Sequence, residues 1–160
     1  GIFYASKGGV TETFAKQLAE HLGADLHNMK DTNVDAIAGY DNVILMASSY
    51  FFGALMEDWG SKVKLLHTVD FNGKNVAIVG VGNQERHPDS FCSGAADFYD
   101  KIRFSGARFV GDVCACGYTF TFSRMQRGGR MLGLCLDKAD PKVQEKIDEW
   151  LKVVKPLFTK

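Results

Sequence analysis

The sequence has no excess charge of either sign, few prolines and no long hydrophobic run. Its 19 basic and 19 acidic residues give a formal net charge of zero, whereas a nucleic-acid-binding domain usually carries a basic excess. Only 3 of the 160 residues are proline, and no repeat or linker interrupts the chain. No apolar stretch approaches the ~20 residues that span a bilayer, and the first residues show no signal-peptide pattern. We therefore expect neither a nucleic-acid partner nor a membrane span.

The 4 cysteines do not follow the spacing of a disulfide scaffold or a metal site. No Cys-x-x-Cys pair is present, and Cys114 and Cys116 alternate along an apolar stretch that is typical of a strand. Such alternation would place both side chains on one face, too close for an easy bridge. We interpret all four cysteines as thiols, which indicates a reducing compartment and predicts a cytoplasmic location.

The composition suits one globular domain over residues 1–160. Hydrophobic residues are 46% of the chain and charged residues 24%, which are ordinary proportions and sufficient for a sizeable core. Short apolar runs alternate with helical patterns, as in β-α-β units around a parallel sheet. The sequence therefore predicts an α/β fold, a doubly wound five-stranded parallel sheet with helices on both faces.

The apolar runs and capping signals predict where the elements lie. The strands are predicted at residues 1–5, 24–28, 42–47, 75–81 and 107–114. The helices are predicted at about residues 11–22, along the face of Met56, Trp59, Val63 and Leu66, after an N-cap at Asp89, and after an N-cap at Asp140. Residues 117–136 break the pattern and are predicted to form a loop or small hairpin inserted at the fifth strand.

Ligands of open α/β sheets bind beyond the carboxyl ends of the strands, which makes three loops the candidate site. The first loop, residues 6–11, consists of Ser6, Lys7, Gly8, Gly9, Val10 and Thr11. Its glycines, hydroxyls, lysine and helix N-terminus would favour an anion, although a tight turn that needs glycine explains the pattern equally well. A G-x-G-x-x-G fingerprint is absent, and Glu12 stands where a triphosphate-binding loop has lysine.

The second loop, residues 48–55, and the third loop, residues 82–89, carry groups suited to a flat ring. The second loop begins with Ser48, Ser49, Tyr50, Phe51, Phe52 and Gly53, and its aromatic rings would either stack on a ligand or pack on the next helix. The third loop offers Gly82 for close backbone approach, Asn83 and Gln84 for hydrogen bonds, and the ring of His87. An exposed loop histidine without a ligand is the alternative for His87.

Together the three loops resemble those of the flavodoxin family. The first loop lies in the register of the family's Thr/Ser-x-Thr-Gly-x-Thr phosphate loop, and Trp59 ends a segment similar to the family's Asp-Trp. Gly82-Asn83-Gln84 with residues 88–92 resembles the third flavin-binding loop, and residues 117–120 and 132–137 resemble the ends of the long-chain insertion. The resemblance covers about residues 1–158 and implies the strand order 2-1-3-4-5.

This resemblance implies a noncovalent FMN and single-electron transfer at low potential, in a carrier rather than an enzyme. It places the phosphate on the first loop, the isoalloxazine between Tyr50 and His87, and backbone groups near Gly82, Asn83 and Cys92 at the ring edge. The implied partners are soluble redox proteins, a reductase as donor and an oxidoreductase as acceptor, and the implied state is a monomer.

Several residues depart from the family pattern. Gly8 removes a phosphate-binding hydroxyl, and a hydrogen bond to a charged group is worth about 1.5–3 kcal/mol, so we expect weakened FMN binding. Tyr50 stands where Trp is common, His87 where Tyr is usual and Asn83 where Asp is frequent. The charge changes make the flavin surroundings less negative, which predicts a less negative potential for the more reducing flavin couple, raised further by protonation of His87.

Two other functions stay open. One is a flavodoxin-fold binding or regulatory module that has lost or weakened FMN binding, and the other, with no dedicated pocket residues, is a flavin-dependent quinone reductase. Arg124, Arg127 and Arg130 in the insertion form either a solvated basic turn or a docking patch for an acidic partner.

Overall fold

The computed structural model describes residues 1–5, 9–50, 54, 55, 59 and 62–158. Its α-helices are α1 (Val10–Leu22), α2 (Ala96–Ile102) and α3 (Val143–Phe158). Its strands are β1 (Ile2–Ala5), β2 (Leu26–Asn28), β3 (Asn42–Tyr50), β4 (Ala54–Leu55), β5 (Asn75–Gly82), β6 (Arg108–Phe109), β7 (Val113–Cys114), β8 (Gln126–Arg127), β9 (Arg130–Met131) and β10 (Leu134–Asp137). No helix among these residues combines the length and apolarity needed to cross a membrane.

A parallel sheet with the order β2-β1-β3-β5-β10 forms the centre of the fold. This order is the predicted 2-1-3-4-5 arrangement, which is thereby confirmed. The central pair β3–β5 runs in register from Asn42 opposite Asn75 to Ser48 opposite Val81. Because both faces of these strands are covered, they appear in the sequence as continuous apolar runs rather than alternating ones.

Helices cover both faces of the sheet, as predicted. One face packs on α1 and α3, with Phe14, Leu18 and Trp150 among the buried side chains. The opposite face packs on α2 and on short 3-10 helices, and its core includes Trp59 and Phe98. These packed faces bury the large apolar side chains on which the stability of the fold depends.

Two of the predicted helices differ from the structure. In the predicted second helix, Trp59 is α-helical, but Val63–Thr68 forms a 3-10 helix, and residues 56–58 lie outside the described residues. The helix predicted from Asp89 begins only at Ala96, after a 3-10 turn at Ser93–Ala95. The reason is local, because Cys92 adopts a left-handed conformation with φ 55°, which a continuous right-handed helix excludes.

The fifth strand is divided into two pieces. β6 pairs with Asn75 and Val76, and β10 pairs with residues 79–82 of the same strand. The continuous strand predicted over residues 107–114 is therefore wrong, because the chain leaves the sheet after Phe109 and forms the small antiparallel sheet β7-β9-β8. Residues 134–136, predicted to belong to the insertion, lie in the main sheet. At the return point, a Cβ on Gly133 would lie 1.8 Å from the Ile78 carbonyl oxygen.

The prediction that all four cysteines are thiols is wrong for Cys114 and Cys116, which form a disulfide. β7 ends at Cys114, and the 3-10 turn Ala115–Gly117 follows, so the two side chains do not alternate as on a strand. The turn brings their Cα atoms to 5.3 Å, within the range that a disulfide requires. Cys92 and Cys135 are free and buried.

Candidate functional site

Strand register brings the three candidate loops to one edge of the sheet. Ala5 lies opposite Ala47, so the first loop follows β1 beside the end of β3. Ser48 lies opposite Val81, so the second and third loops leave β3 and β5 side by side. The loops are thus adjacent at the carboxyl ends of β1, β3 and β5, where ligands of doubly wound sheets bind.

The first loop ends in the N-terminus of α1. Ser6, Lys7 and Gly8 lie outside the described residues, and the description begins at Gly9, which has φ 86°. The Thr13 amide donates to the Gly9 carbonyl at 3.0 Å, which is the first hydrogen bond of the helix. The amides of Val10 and Thr11 come before Thr13 in the chain, so they belong to the helix N-terminus, where amides have no partner within the helix. Thr11 lies in the first turn and is only 2% exposed. Amides at this position and the positive end of the helix dipole are able to bind an anion.

Glu12 brings a carboxylate close to this anion site, and the structure holds that carboxylate against the sheet. The Tyr4 hydroxyl donates to Glu12 Oε1 at 2.9 Å. Burial, and then the hydrogen bond to Glu12, raises the pKa of Tyr4 to about 12. Tyr4 therefore stays a neutral donor at neutral pH and fixes the position of the carboxylate.

The second loop is a β-hairpin rather than a loop that starts at residue 48. β3 continues to Tyr50, and β4 pairs with it antiparallel through Ser49–Leu55 and Tyr50–Ala54. The three-residue connection, Phe51, Phe52 and Gly53, lies outside the described residues, and so do the side chains of Ser49 and Tyr50. Ser48 is half-buried at the point where β3 leaves the sheet.

The third loop folds back tightly after β5. The Asn83 side-chain oxygen accepts from the Arg86 amide at 2.8 Å, and the His87 amide donates to the Asn83 carbonyl at 2.9 Å. His87 is exposed on this turn. A Cβ on Gly82 would lie 3.1 Å from the Cys92 nitrogen, so the start of the loop and the chain after it approach closely. Gly82 and Cys92, which the resemblance places at the same ring edge, are thus close to each other in the fold.

The Cys92 thiol lies inside the protein, behind its backbone. Burial, and then the neighbouring thiol of Cys135, raises the pKa of Cys92 well above its ordinary value. The side chain is therefore a neutral thiol, and the groups that Cys92 could offer to a ligand are those of its left-handed backbone. That backbone groups near Cys92 meet the ring edge stays a prediction.

Gln84 and Asp137 are structural residues of this site that the sequence-based list of binding residues missed. The Gln84 amide and its Nε2 donate to Asp137 Oδ2 at 3.0 and 3.3 Å, and Oε1 accepts from the Thr119 amide at 2.5 Å. Asp137 is buried at the end of β10 and also accepts from the Ala139 amide. The sequence signal for Asp137 was an acidic residue at the end of an apolar strand, whose carboxyl end lies at the same sheet edge.

The arginines of the insertion are paired with acids. Arg124 donates to Asp97 at 2.7 Å and to Asp100 at 2.9 Å. Arg127 lies 3.5 Å from Asp100, and Arg130 lies 2.9 Å from Asp112. Each arginine charge is therefore compensated by a neighbouring carboxylate. This weakens the interpretation as a basic docking patch, and it also differs from a basic turn that contacts only solvent.

Comparison with known proteins agrees with this geometry. The Flavodoxin family model matches residues 2–150. Flavodoxin 1 of Azotobacter vinelandii is 35% identical over 99% of this chain and 96% of its own length, and flavodoxin of Haemophilus influenzae is 33% identical over 96% and 92%. The structure of Fusobacterium nucleatum flavodoxin bound to flavin mononucleotide has a TM-score of 0.92 and 30% identity, covering 99% of this chain and 98% of that one. The resemblance to the flavodoxin family is confirmed, and the chain belongs to that family.

Proposed function

We propose that this protein is an FMN-dependent, low-potential electron carrier that shuttles single electrons between soluble redox proteins. The observation that carries the proposal is the convergence of three loops at one sheet edge, set by the pairs Ala5–Ala47 and Ser48–Val81. The similar F. nucleatum protein holds flavin mononucleotide. FMN is the cofactor, and it supplies the reversible one-electron chemistry; the protein transforms no substrate of its own.

The FMN phosphate is assigned to the first loop. The N-terminus of α1 fits an anion because the left-handed Gly9 and the amides of Val10 and Thr11 precede the first intrahelical hydrogen bond. Hydroxyl and cationic groups complete the assigned set, which is Ser6, Lys7, Gly8, Gly9, Val10 and Thr11. Glu12 is compatible with this assignment because Tyr4 binds its carboxylate.

The isoalloxazine is assigned to the space between the second and third loops. Tyr50 and His87 would flank the ring, and the exposed position of His87 supports its part. Backbone groups of Gly82, Asn83 and Cys92 would meet the ring edge, which the close approach of Gly82 to Cys92 supports. The remaining residues assigned to the ring are Ser48, Ser49, Phe51, Phe52 and Gly53.

A reductase donates the electron to this carrier, and an oxidoreductase accepts it. The carrier acts as a cytoplasmic monomer; the free thiols of Cys92 and Cys135 support this location, whereas the Cys114–Cys116 disulfide does not. Asn83 and His87 replace residues that are usual in the family, and the whole chain has no net charge. The potential of the more reducing flavin couple is therefore less negative than is typical of flavodoxins.

FMN titration of the apoprotein tests the proposal, with Thr11→Val and Thr13→Val as a matched pair. Thr11 is buried in the first helical turn, whereas the exposed Thr13 hydroxyl donates to the Gly9 carbonyl. Loss of a hydrogen bond to the phosphate is expected to weaken binding by about 1.5–3 kcal/mol, or roughly 10- to 100-fold in Kd. Thr13→Val is expected to leave Kd within about threefold of the wild-type value.

The competing functions give different results in the same assays. A colourless protein that quenches no FMN fluorescence would contradict the carrier and favour a binding module without flavin. Oxidation of NADPH by the protein alone would favour a flavin-dependent reductase. Equal effects of the two threonine substitutions would remove Thr11 from the phosphate site.

A further inference from the structure

The Cys114–Cys116 disulfide lies on the surface, at the end of β7 in the small antiparallel sheet. β7 ends at Cys114, and both cysteines are exposed. The free cysteines, Cys92 and Cys135, are buried in the core. Among the four cysteines of the chain, the pair at 114 and 116 is therefore the one that a reagent can reach without unfolding the protein.

We propose that Cys114 and Cys116 form a thiol–disulfide exchange site, which accepts two electrons from a dithiol and is separate from the flavin. The site adds a second redox group to the protein, with electron pairs carried by sulfur.

The ring is too small for the disulfide to act chiefly as a stabilising cross-link. One residue, Ala115, separates the two cysteines, and the stabilisation from a cross-link rises with the number of residues that it encloses. Other contacts hold this turn. The Ala115 amide donates to the Gly129 carbonyl at 3.0 Å, and Lys146 Nζ donates to the Gly117 carbonyl at 2.7 Å. Reduction would therefore leave the two sulfurs close enough to form the bond again.

The two sulfur atoms are not equivalent. The Cys116 amide donates to Cys114 Sγ at 3.2 Å, and the same hydrogen bond would stabilise a thiolate at Cys114. A thiol whose thiolate is stabilised leaves faster in exchange. We therefore assign Cys116 Sγ as the atom that is attacked and Cys114 as the leaving thiolate.

An open cavity of about 540 Å³ lies beside the disulfide and gives an incoming thiol space to approach. Cys114 and Cys116 line it together with the α3 side chains Lys146, Glu149 and Trp150. The cavity lies between residues 112–134 and α3, and Thr119 on its wall is hydrogen-bonded to Gln84 of the third loop, but neither sulfur belongs to the residues assigned to the flavin. Exchange at the sulfurs thus requires no access through the flavin site.

The exchange proceeds in two balanced steps. A thiolate of the dithiol attacks Cys116 Sγ, a mixed disulfide forms, and the bond to Cys114 breaks with release of its thiolate. The second thiolate of the dithiol then attacks the mixed disulfide and releases Cys116. The dithiol is oxidised to a disulfide, the protein gains two electrons, and the two released thiolates take up two protons.

Redox titration of the FMN-loaded protein with dithiothreitol tests this proposal. Samples equilibrated at graded ratios of reduced to oxidised dithiothreitol are alkylated in the folded state with a large excess of a maleimide, and the adducts are located by peptide mass spectrometry. We expect a reversible change between no adducts and two adducts, both in the peptide that contains Cys114 and Cys116. Cys92 and Cys135 are the internal controls and stay unmodified without denaturant.

Single substitutions test the assigned roles. Cys114→Ser leaves Cys116 alone, and we expect it to keep one glutathione after treatment with oxidised glutathione, whereas the reduced wild-type protein resolves the adduct. Cys114 in Cys116→Ser is expected to be alkylated at pH 7 at least about threefold faster than Cys116 in Cys114→Ser. Flavin absorbance of each variant reports that the protein is folded.

Two results would overturn the proposal. One is an adduct count that stays constant over the whole titration, with the sulfurs always reduced or always paired. The other is a wild-type protein that keeps its glutathione as Cys114→Ser does. Equal alkylation rates would overturn the assignment of Cys114 as the leaving thiolate. Because the adducts are counted independently of flavin absorbance, failure of this proposal is distinct from failure of the proposed FMN carrier.

Discussion

Gln84 donates twice to a single oxygen of Asp137, from its backbone amide at 3.0 Å and from its side chain at 3.3 Å. The same side chain accepts from the Thr119 amide. One residue of the third loop is thus joined both to the end of β10 and to the insertion. The position of the candidate ring-edge groups at Gly82 and Asn83 depends on this connection.

Gln84→Ala is expected to destabilise the protein by about 1–3 kcal/mol, because a buried carboxylate loses a donor and the Thr119 amide loses its acceptor. Urea unfolding measures this change. Gln126→Ala is the matched control, since the exposed Gln126 side chain donates to the Gly128 carbonyl on a surface turn, and its effect is expected to stay within about 0.5 kcal/mol. Equal losses in both variants would contradict the role of Gln84 in holding the third loop.

Gly133→Ala is expected to destabilise the protein by about 3 kcal/mol or more, the upper end of overpacking effects. The new Cβ would lie 1.8 Å from the Ile78 carbonyl oxygen, so β10 could not keep its place beside β5. Gly129→Ala provides the contrast, because a Cβ there meets no atom within 4 Å. That variant is expected to match or exceed wild-type stability, and similar unfolding midpoints for the two variants would refute the close approach at Gly133.

Asp140→Ala is expected to lower stability at pH 7 by about 1–2 kcal/mol, as the loss of a helix cap does. Asp140 accepts from the Lys142 amide at 2.9 Å and from Lys146 Nζ. Burial alone would raise the pKa of Asp140, but the hydrogen bonds from Lys146 and Lys142 outweigh it and lower the pKa below 3.8. A lowered folded-state pKa gives stability that is present above pH 3.8 and is lost as the pH falls through the folded value.

The difference between wild type and Asp140→Ala should therefore shrink in urea unfolding below pH 3.8. Asp148→Ala is the control on the same helix, because Asp148 is exposed and accepts from Gln144. The effect of Asp148→Ala on the free energy of unfolding is expected to remain small at pH 7 and below pH 3.8. A difference for Asp140→Ala that stays constant from pH 7 into the acid range would rule out the ion pair as its cause.

His87→Tyr is expected to lower the potential of the more reducing flavin couple, since the electron-rich face of a tyrosine ring would disfavour negative charge on the flavin more than an imidazole does. Potentiometry of both proteins at the same pH measures the effect. His67→Tyr serves as the control, because His67 is an exposed residue of the 3-10 helix Val63–Thr68. Identical potentials for wild type and His87→Tyr would remove His87 from the flavin surroundings.

The central sheet could be predicted because strands buried on both faces appear as apolar runs, as at Asn42–Tyr50 and Asn75–Gly82. The fifth strand could not be predicted, because residues 107–114 and 134–137 both have strand patterns. Only pairing with β5 determines that Arg108–Phe109 and Leu134–Asp137 are the segments in the main sheet. Asp89 carries a good capping signal, but the left-handed Cys92 delays the helix. Local signals thus give way to tertiary contacts.

In the candidate site, too, some features follow from local sequence patterns and others depend on contacts between distant residues. The position of Gly9 and Thr11 at the N-terminus of α1 was predictable from the local pattern of glycines before a helix, whereas their contact with an anion stays a prediction. Gln84 and Asp137 are 53 residues apart, and their contact exists only because β5 and β10 lie side by side. The Cys114–Cys116 disulfide was missed because a 3-10 turn, and not a continued strand, follows Cys114.

Because the fifth strand is divided into β6 and β10, we expect the protein to tolerate new chain termini between these two halves. β6 and β10 are each hydrogen-bonded to β5, so the edge of the sheet is held together by its neighbour and does not depend on the peptide that joins the two halves. The exposed turn at Gly128 and Gly129, between β8 and β9, lies within that peptide and belongs to neither half. New termini opened there, or a second domain inserted there, are expected to leave the parallel sheet intact.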